Sequence, residues 1–366
     1  MLSSASRQKS LTILVAEQFS TFLQLRLTIL TAGHLFSSIL HATSSSHITN
    51  MLVRKALVSL AAAYTAIAIP LDRRQGVTTR GVSLGGWLVL EPWITPSIFH
   101  AYGGSVVDEY TLCQQDPNAA SVLEAHWSSW VTQGDIQKIA NSGKGINTLR
   151  IPIGYWAFQK YDNDPYVQGA AKHLSNALDW AQQAGLKVWI DLHGAPLSQN
   201  GFDNSGQRTT SIQWTSGDTI GFTADVISQI AEQFGSHPAV SGIELVNEPL
   251  MGSLPGGREA LTSYYNQAYG SVRSKTGTGV VISDGFAAPN SWNGIIPDST
   301  VDHHEYQVFS NGDVALSYSD HVSAAYSRAA TWGQSDRALV CGEWTAAMTD
   351  CAPALVSLLN VSLALC

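Results

Sequence analysis

The chain has 366 residues, a formal net charge of −8, 45% apolar side chains and only 13% charged ones. The apolar content suffices for the core of one large domain or two ordinary ones and excludes wholesale disorder. The acidic balance argues against a nucleic-acid partner or an anionic membrane surface. Low charge with many aromatics and glycines fits a compact, loop-rich secreted protein that handles a neutral ligand.

From the N-terminus, residues 51–74 carry a basic head (Arg54, Lys55), an uncharged apolar stretch from Ala56 to Ile69, and the pair Arg73-Arg74. This is the pattern of a signal peptide followed by a dibasic propeptide site, and the apolar run is short for a bilayer span. The mature protein then starts near Gln75. Met51 stands where an initiator is expected, so residues 1–50 read as an upstream extension of the gene model with no domain of their own. A membrane anchor over 22–40 is the competing reading, disfavoured by Gln24, Arg26 and His34 within it. Cys113, Cys341, Cys351 and Cys366 lack the spacing of a zinc site and fit disulfides better, with the pairing left open.

Beyond Gln75, apolar runs predict strands over 82–89, 146–153, 187–193, 242–246, 279–283, 300–306 and 338–344. Helical periodicity falls between them, over 135–142, 170–184, 219–234 and 262–275. Such alternation predicts a parallel α/β fold, and a (β/α)8 TIM barrel is favoured over a doubly wound sheet. At least five strands end in polar, potentially catalytic residues, and no glycine-rich phosphate loop follows the first. The pattern covers 75–350, then gives way to a charge-free apolar tail over 351–366 in place of the last unit. A barrel lacking its final unit exposes strand edges, so the chain is expected to be poorly stable or inactive.

Two glutamates stand at predicted strand ends, in Asn247-Glu248-Pro249 and Gly342-Glu343-Trp344. Glycosidic cleavage uses two carboxyl groups flanking the anomeric carbon, which makes this pair the candidate catalytic residues. Arg150 lies inside an apolar strand, where a charge needs a carboxylate partner. His193, His304 and Tyr306 close other strands. A metal site on His303, His304 and Glu305 is disfavoured because strand neighbours alternate faces. Gly81-Val82-Ser83-Leu84-Gly85 matches a serine-hydrolase elbow but opens a strand with no helix behind it. Most tryptophans are expected in the core, whereas Phe202 and Phe309, in Gly- and Asn-rich loops, are candidate sugar-stacking rings.

Taken in order, several stretches carry a resemblance. They are Gly85-Gly86-Trp87-Leu88-Val89-Leu90-Glu91-Pro92-Trp93, Leu149-Arg150-Ile151-Pro152, Asp191-Leu192-His193-Gly194, Leu245-Val246-Asn247-Glu248-Pro249, His304-Glu305-Tyr306-Gln307-Val308-Phe309 and Cys341-Gly342-Glu343-Trp344. The chain resembles glycoside hydrolase family 5, and within it the fungal exo-β-1,3-glucanases. That resemblance implies a secreted monomeric barrel that removes glucose from the non-reducing ends of β-1,3-glucan with retention, without metal or other cofactor. It implies Glu248 as acid/base and Glu343 as nucleophile, with Arg150 holding the nucleophile ionised and Asn247 bonding the sugar 2-hydroxyl. Glu91, His193, His304 and Tyr306 become parts of a glucose pocket, and Phe202 and Phe309 an aromatic clamp at its entrance. Another retaining β-glycosidase, endo-acting or β-1,6-specific, and a carbohydrate-binding protein without turnover are the alternatives. The family continues well past the Gly-Glu-Trp motif, and the tail after Asp350 does not match it.

Overall fold

The structure, a computed structural model, describes residues 79–347 apart from Pro297. The leader, the dibasic site, the apolar tail with the sequon Asn360-Val361-Ser362, and two of the four cysteines lie outside the described residues. Among the described residues, Cys113 and Cys341 are free thiols and form no disulfide with each other. No helix among the described residues is long and apolar enough to cross a membrane.

Seven strands are described: β1 Gly81–Ser83, β2 Thr148–Gly154, β3 Lys187–Gly194, β4 Val240–Glu244, β5 Gly279–Ser283, β6 Ser299–Glu305 and β7 Leu339–Trp344. All pair in parallel with their sequence neighbours, in the order β1 to β7. A doubly wound sheet would reverse its strand order at a switch point, and none occurs. β1 and β7 approach each other without pairing, so the described strands form a nearly closed barrel.

Local chemistry explains the elements. Every residue of β2 is buried, as expected of a parallel strand covered on both faces. Helices α1 Glu109–Gln115, α2 Ala119–Trp130 and α3 Gln133–Ala140 fill the connection from β1 to β2. The N-terminus of α3 is fixed by a capping box between Thr132 and Asp135. Helix α4, Ala170–Gln183, buries Ala170, His173, Leu174, Ala177, Leu178 and Ala181 in one stripe against the sheet. Helices α5 Thr219–Phe234, α6 Gly257–Lys275 and α7 Tyr318–Trp332 complete the outer layer.

Most predicted elements are found within a few residues of their places. β1 is an exception, stopping at Ser83 where the sequence suggested a run to 89. Gly86 turns the chain with φ of 62°, giving its N–H to Glu91 Oε1 at 2.8 Å, and only Leu88 returns to bridge Ile153. No helix follows Ser83 directly, so the elbow motif has no elbow. Helix α6 begins at Gly257, ahead of the predicted 262. Helices α1, α2 and α7 were not anticipated; α7 has no buried residue, hence no apolar stripe to read.

Candidate active site

Arg150 on β2 forms the floor of the barrel interior. Its guanidinium is bonded by Glu244 on β4 through both carboxylate oxygens, at 2.8 and 3.1 Å. Asn247 Oδ1 accepts a further bond at 2.8 Å, and Asp191 on β3 lies 3.1 Å away. The outward-reaching Nη1 donates to Glu343 Oε1 on β7 at 2.8 Å. A buried cation thus finds the carboxylates its apolar strand demanded, and surrounding acids hold its proton more firmly still.

Glu343 is held from three sides. Besides Arg150, Tyr306 donates to Oε2 at 2.9 Å, and His304 Nδ1 lies 3.5 Å from the same oxygen. Burial alone would raise its pKa, but His304, Arg150 and His193 outweigh burial and hold the carboxylate well below its ordinary range. Burial would likewise strip His304 of its proton, yet Glu343 and Asp302 keep the imidazole charged.

Glu248 follows β4 at a distance. The named strand ends at Glu244, four residues earlier than the sequence placed the catalytic position, though Asn247 still donates its N–H to Leu192 O on β3. Glu248 turns with φ of 45°, an uncommon conformation for a side-chain-bearing residue and not the extended one that a following proline favours. That turn brings its carboxylate over the rim. His304 Nδ1 bonds Oε1 at 2.8 Å and Asn204 Nδ2 bonds Oε2 at 2.9 Å. One oxygen of Glu248 and one of Glu343 lie within 4.8 Å of each other.

The remaining candidates sit around this pair. His193 bonds Asp191 at 2.6 Å, and despite burial that partner pushes its pKa up to about 9. Glu91 is buried, and burial, partly offset by His193, pushes it up to about 7. Phe202 and Phe309 are both exposed. The Phe309 ring meets that of Tyr306 at 5.4 Å between centroids, and Phe202 leads directly into the turn Asp203–Ser205 that presents Asn204. Trp87, Trp156, Trp214 and Trp292 are buried, as expected of core tryptophans, while Trp93 and Trp344 are exposed. His303 and Glu305 face away from His304, bonding Asp284 and Arg328 respectively. Strand alternation therefore separates them as the sequence implied. Among the described residues, the His-carboxylate groups tight enough for a cation are Glu244–Asp302–His304 and Glu248–His304–Glu343. Both depend on His304, whose Nδ1 bonds Glu248 at 2.8 Å and whose Nε2 lies 3.4 Å from Asp302.

Sequence reasoning missed Glu244 and Asn204. Glu244 was legible in principle, since Arg150 required a buried acid. Asn204 was not, because only the folded loop aims it at Glu248.

Against protein families, residues 99–360 match the model described as cellulase, glycosyl hydrolase family 5. The chain belongs to glycosyl hydrolase family 5. As a member of that family it is a glycosidase on a TIM barrel. It is 47% identical over 317 residues to a protein named probable glucan 1,3-beta-glucosidase A from Aspergillus niger, covering 82% of this chain and 75% of that one. It is 44% identical to glucan 1,3-beta-glucosidase from Blumeria graminis, covering 82% and 74%. Among solved structures, a rutinosidase from Aspergillus niger superposes with a TM-score of 0.65 at 24% identity over 73% of this chain and 79% of that one, a likeness of fold.

Proposed function

We propose that this family 5 chain hydrolyses β-1,3-glucan from its non-reducing ends, releasing glucose with retained configuration. The carrying observation is the carboxylate pair. An oxygen of Glu248 and one of Glu343 stand within 4.8 Å, a closeness suited to a retaining site, whose carboxyl groups lie about 5 to 5.5 Å apart, and not to the roughly 6.5 to 9.5 Å that an inverting site needs for its water. The names of the relatives supply the glucan linkage.

In this reading Glu343, kept ionised by Arg150 and His304, attacks C1 of the terminal glucose. Glu248 gives its proton to the departing glycosidic oxygen, and a glycosyl-Glu343 ester forms. Water then attacks C1 as Glu248 takes its proton back, which frees glucose and restores both carboxyl groups. Asn247, fixed by Arg150, presents its amide to the sugar 2-hydroxyl, and Glu91, His193, His304 and Tyr306 shape the pocket. Phe202 and Phe309 offer exposed rings to the apolar faces of the sugars at the entrance. The reaction needs water and no cofactor. The leader-like segment 51–74 supports secretion, with the mature protein acting as a monomer on cell-wall or extracellular glucan.

Trapping with a 2-deoxy-2-fluoro-β-glucoside that leaves quickly and turns over slowly, followed by peptide mass mapping, tests the assignment. Label on Glu343 is expected, and Glu343→Gln is expected to lose roughly 10⁴-fold or more in kcat. Label on any other carboxylate overturns it. Early products from laminarin separate the exo mode, glucose alone, from an endo mode that yields oligosaccharides.

A further inference from the structure

The strand carrying Glu343 is out of simple register with its neighbour. Asp302 pairs with Val340 and His303 with Cys341, but His304 pairs with Glu343, so Gly342 is an extra residue in β7. The consequence follows from the two-residue period of a strand. Were Gly342 paired with His304 in a regular ladder with no bulge, Glu343 would stand opposite Glu305 and share its direction, toward Arg328 on α7. With the bulge, Glu343 stands opposite His304 and faces the barrel interior. The bulge is what turns the carboxylate inward.

A bulge frees a backbone N–H from the ladder, and in a half-buried strand that donor needs an acceptor. Asp302 provides it: Oδ1 accepts from Gly342 N at 2.6 Å. The side chain of Asp302 is wholly buried, and its Oδ2 lies 3.4 Å from His304 Nε2 and 3.6 Å from Arg150 Nε. A methyl group at position 342 would overlap both carboxylate oxygens, so the glycine there makes room for Asp302.

We propose that Asp302 is a positioning residue for the nucleophile, pinning the bulge at Gly342 so that Glu343 faces the pocket. The same carboxylate joins the bulge to His304 and Arg150, the two cations that flank Glu343, so backbone and charge are set by one group. This inference rests on Glu343 being the nucleophile.

Asp302→Asn keeps an acceptor oxygen for Gly342, whereas Asp302→Ala removes it. Misplacing a reacting group by about 1 Å can cost roughly 10²-fold. Asp302→Ala is therefore expected to lower both kcat on 4-nitrophenyl β-glucoside and the rate of fluorosugar trapping about 100-fold, with KM moving less than about threefold. Asp302→Asn is expected to stay within about tenfold of the parent enzyme. Gly342→Ala, with Asp302 intact, is expected to reproduce the Asp302→Ala loss, and it decides the matter if Asp302→Ala does not fold. Trapping at the parent rate in either alanine variant overturns the proposal, as does an Asp302→Asn loss equal to that of Asp302→Ala. Label on a carboxylate other than Glu343 in the parent enzyme would instead be a failure of the functional reading, so the two are told apart.

Discussion

The two glutamates proposed to be catalytic come from differently built sides of the barrel. β4, which leads to Glu248, is buried at four of its five positions, and α5 before it buries Val226, Ile227 and Ile230. β7, which carries Glu343, is half-buried at five of its six positions and exposed at Trp344, and neighbouring α7 has no buried residue. On the first side, apolar packing fixes the backbone. On the second, hydrogen bonds and ion pairs do most of that work: Arg150, Tyr306 and His304 hold the side chain, and Asp302 holds the chain beneath it. The difference shows that one site can be made rigid by two kinds of force, with different sensitivities to mutation and pH.

The sharpest way to break this contrast is to remove the cation that serves both sides. Arg150→Ala leaves Glu244 buried without its counter-charge and frees Glu343, and it should cost about 3 to 5 kcal/mol in urea unfolding together with nearly all turnover. A variant with unchanged stability would show that the charged floor contributes little. Next comes the packing comparison. Ile243→Ala, in the core of β4, should cost about 2 to 5 kcal/mol. Val322→Ala, on the exposed face of α7, should stay within about 0.5 kcal/mol. Equal losses would abolish the distinction between the two sides.

A smaller effect is expected from pH. His193 and His303 are raised from 6.5 to about 9 by their acidic partners despite burial, and Glu91 and Glu109 are raised from 4.5 to about 7 by burial. In each case the folded state holds the proton more tightly than the unfolded chain. The associated stability is complete below the unfolded value and lost as pH rises through the folded one. Glu343 runs the other way, its contribution lost only as pH falls below 4.5 toward about 2. The melting temperature should therefore be highest near pH 5 and decline through pH 7 to 9 as these groups release protons. A flat or rising profile over that span would contradict the assigned shifts.

Much of the barrel was legible because apolar runs and helical stripes record burial directly. β5 and α5 fall where the periodicity put them. Helix α7 was invisible for the matching reason: it presents no stripe. Glu248 and Glu343 were legible from their motifs, and Arg150 from the cost of an unpaired charge. The bulge at Gly342 was beyond reach, since register is a relation between two strands that neither strand's residues state alone. The left-handed turn at Glu248 was hidden as well. Pro249 advertised a stop, and the structure shows that the strand ends sooner and the residue before the proline swings its acid over the rim.

The bond from Asn204 to Glu248 ties the proposed proton donor to the stretch of chain that bears Phe202. Widening the entrance for a bulkier acceptor sugar by reshaping that stretch would therefore disturb the acid as well. Reshaping at Phe309 carries a matching consequence on the other side, because its ring packs against Tyr306, which donates to Glu343.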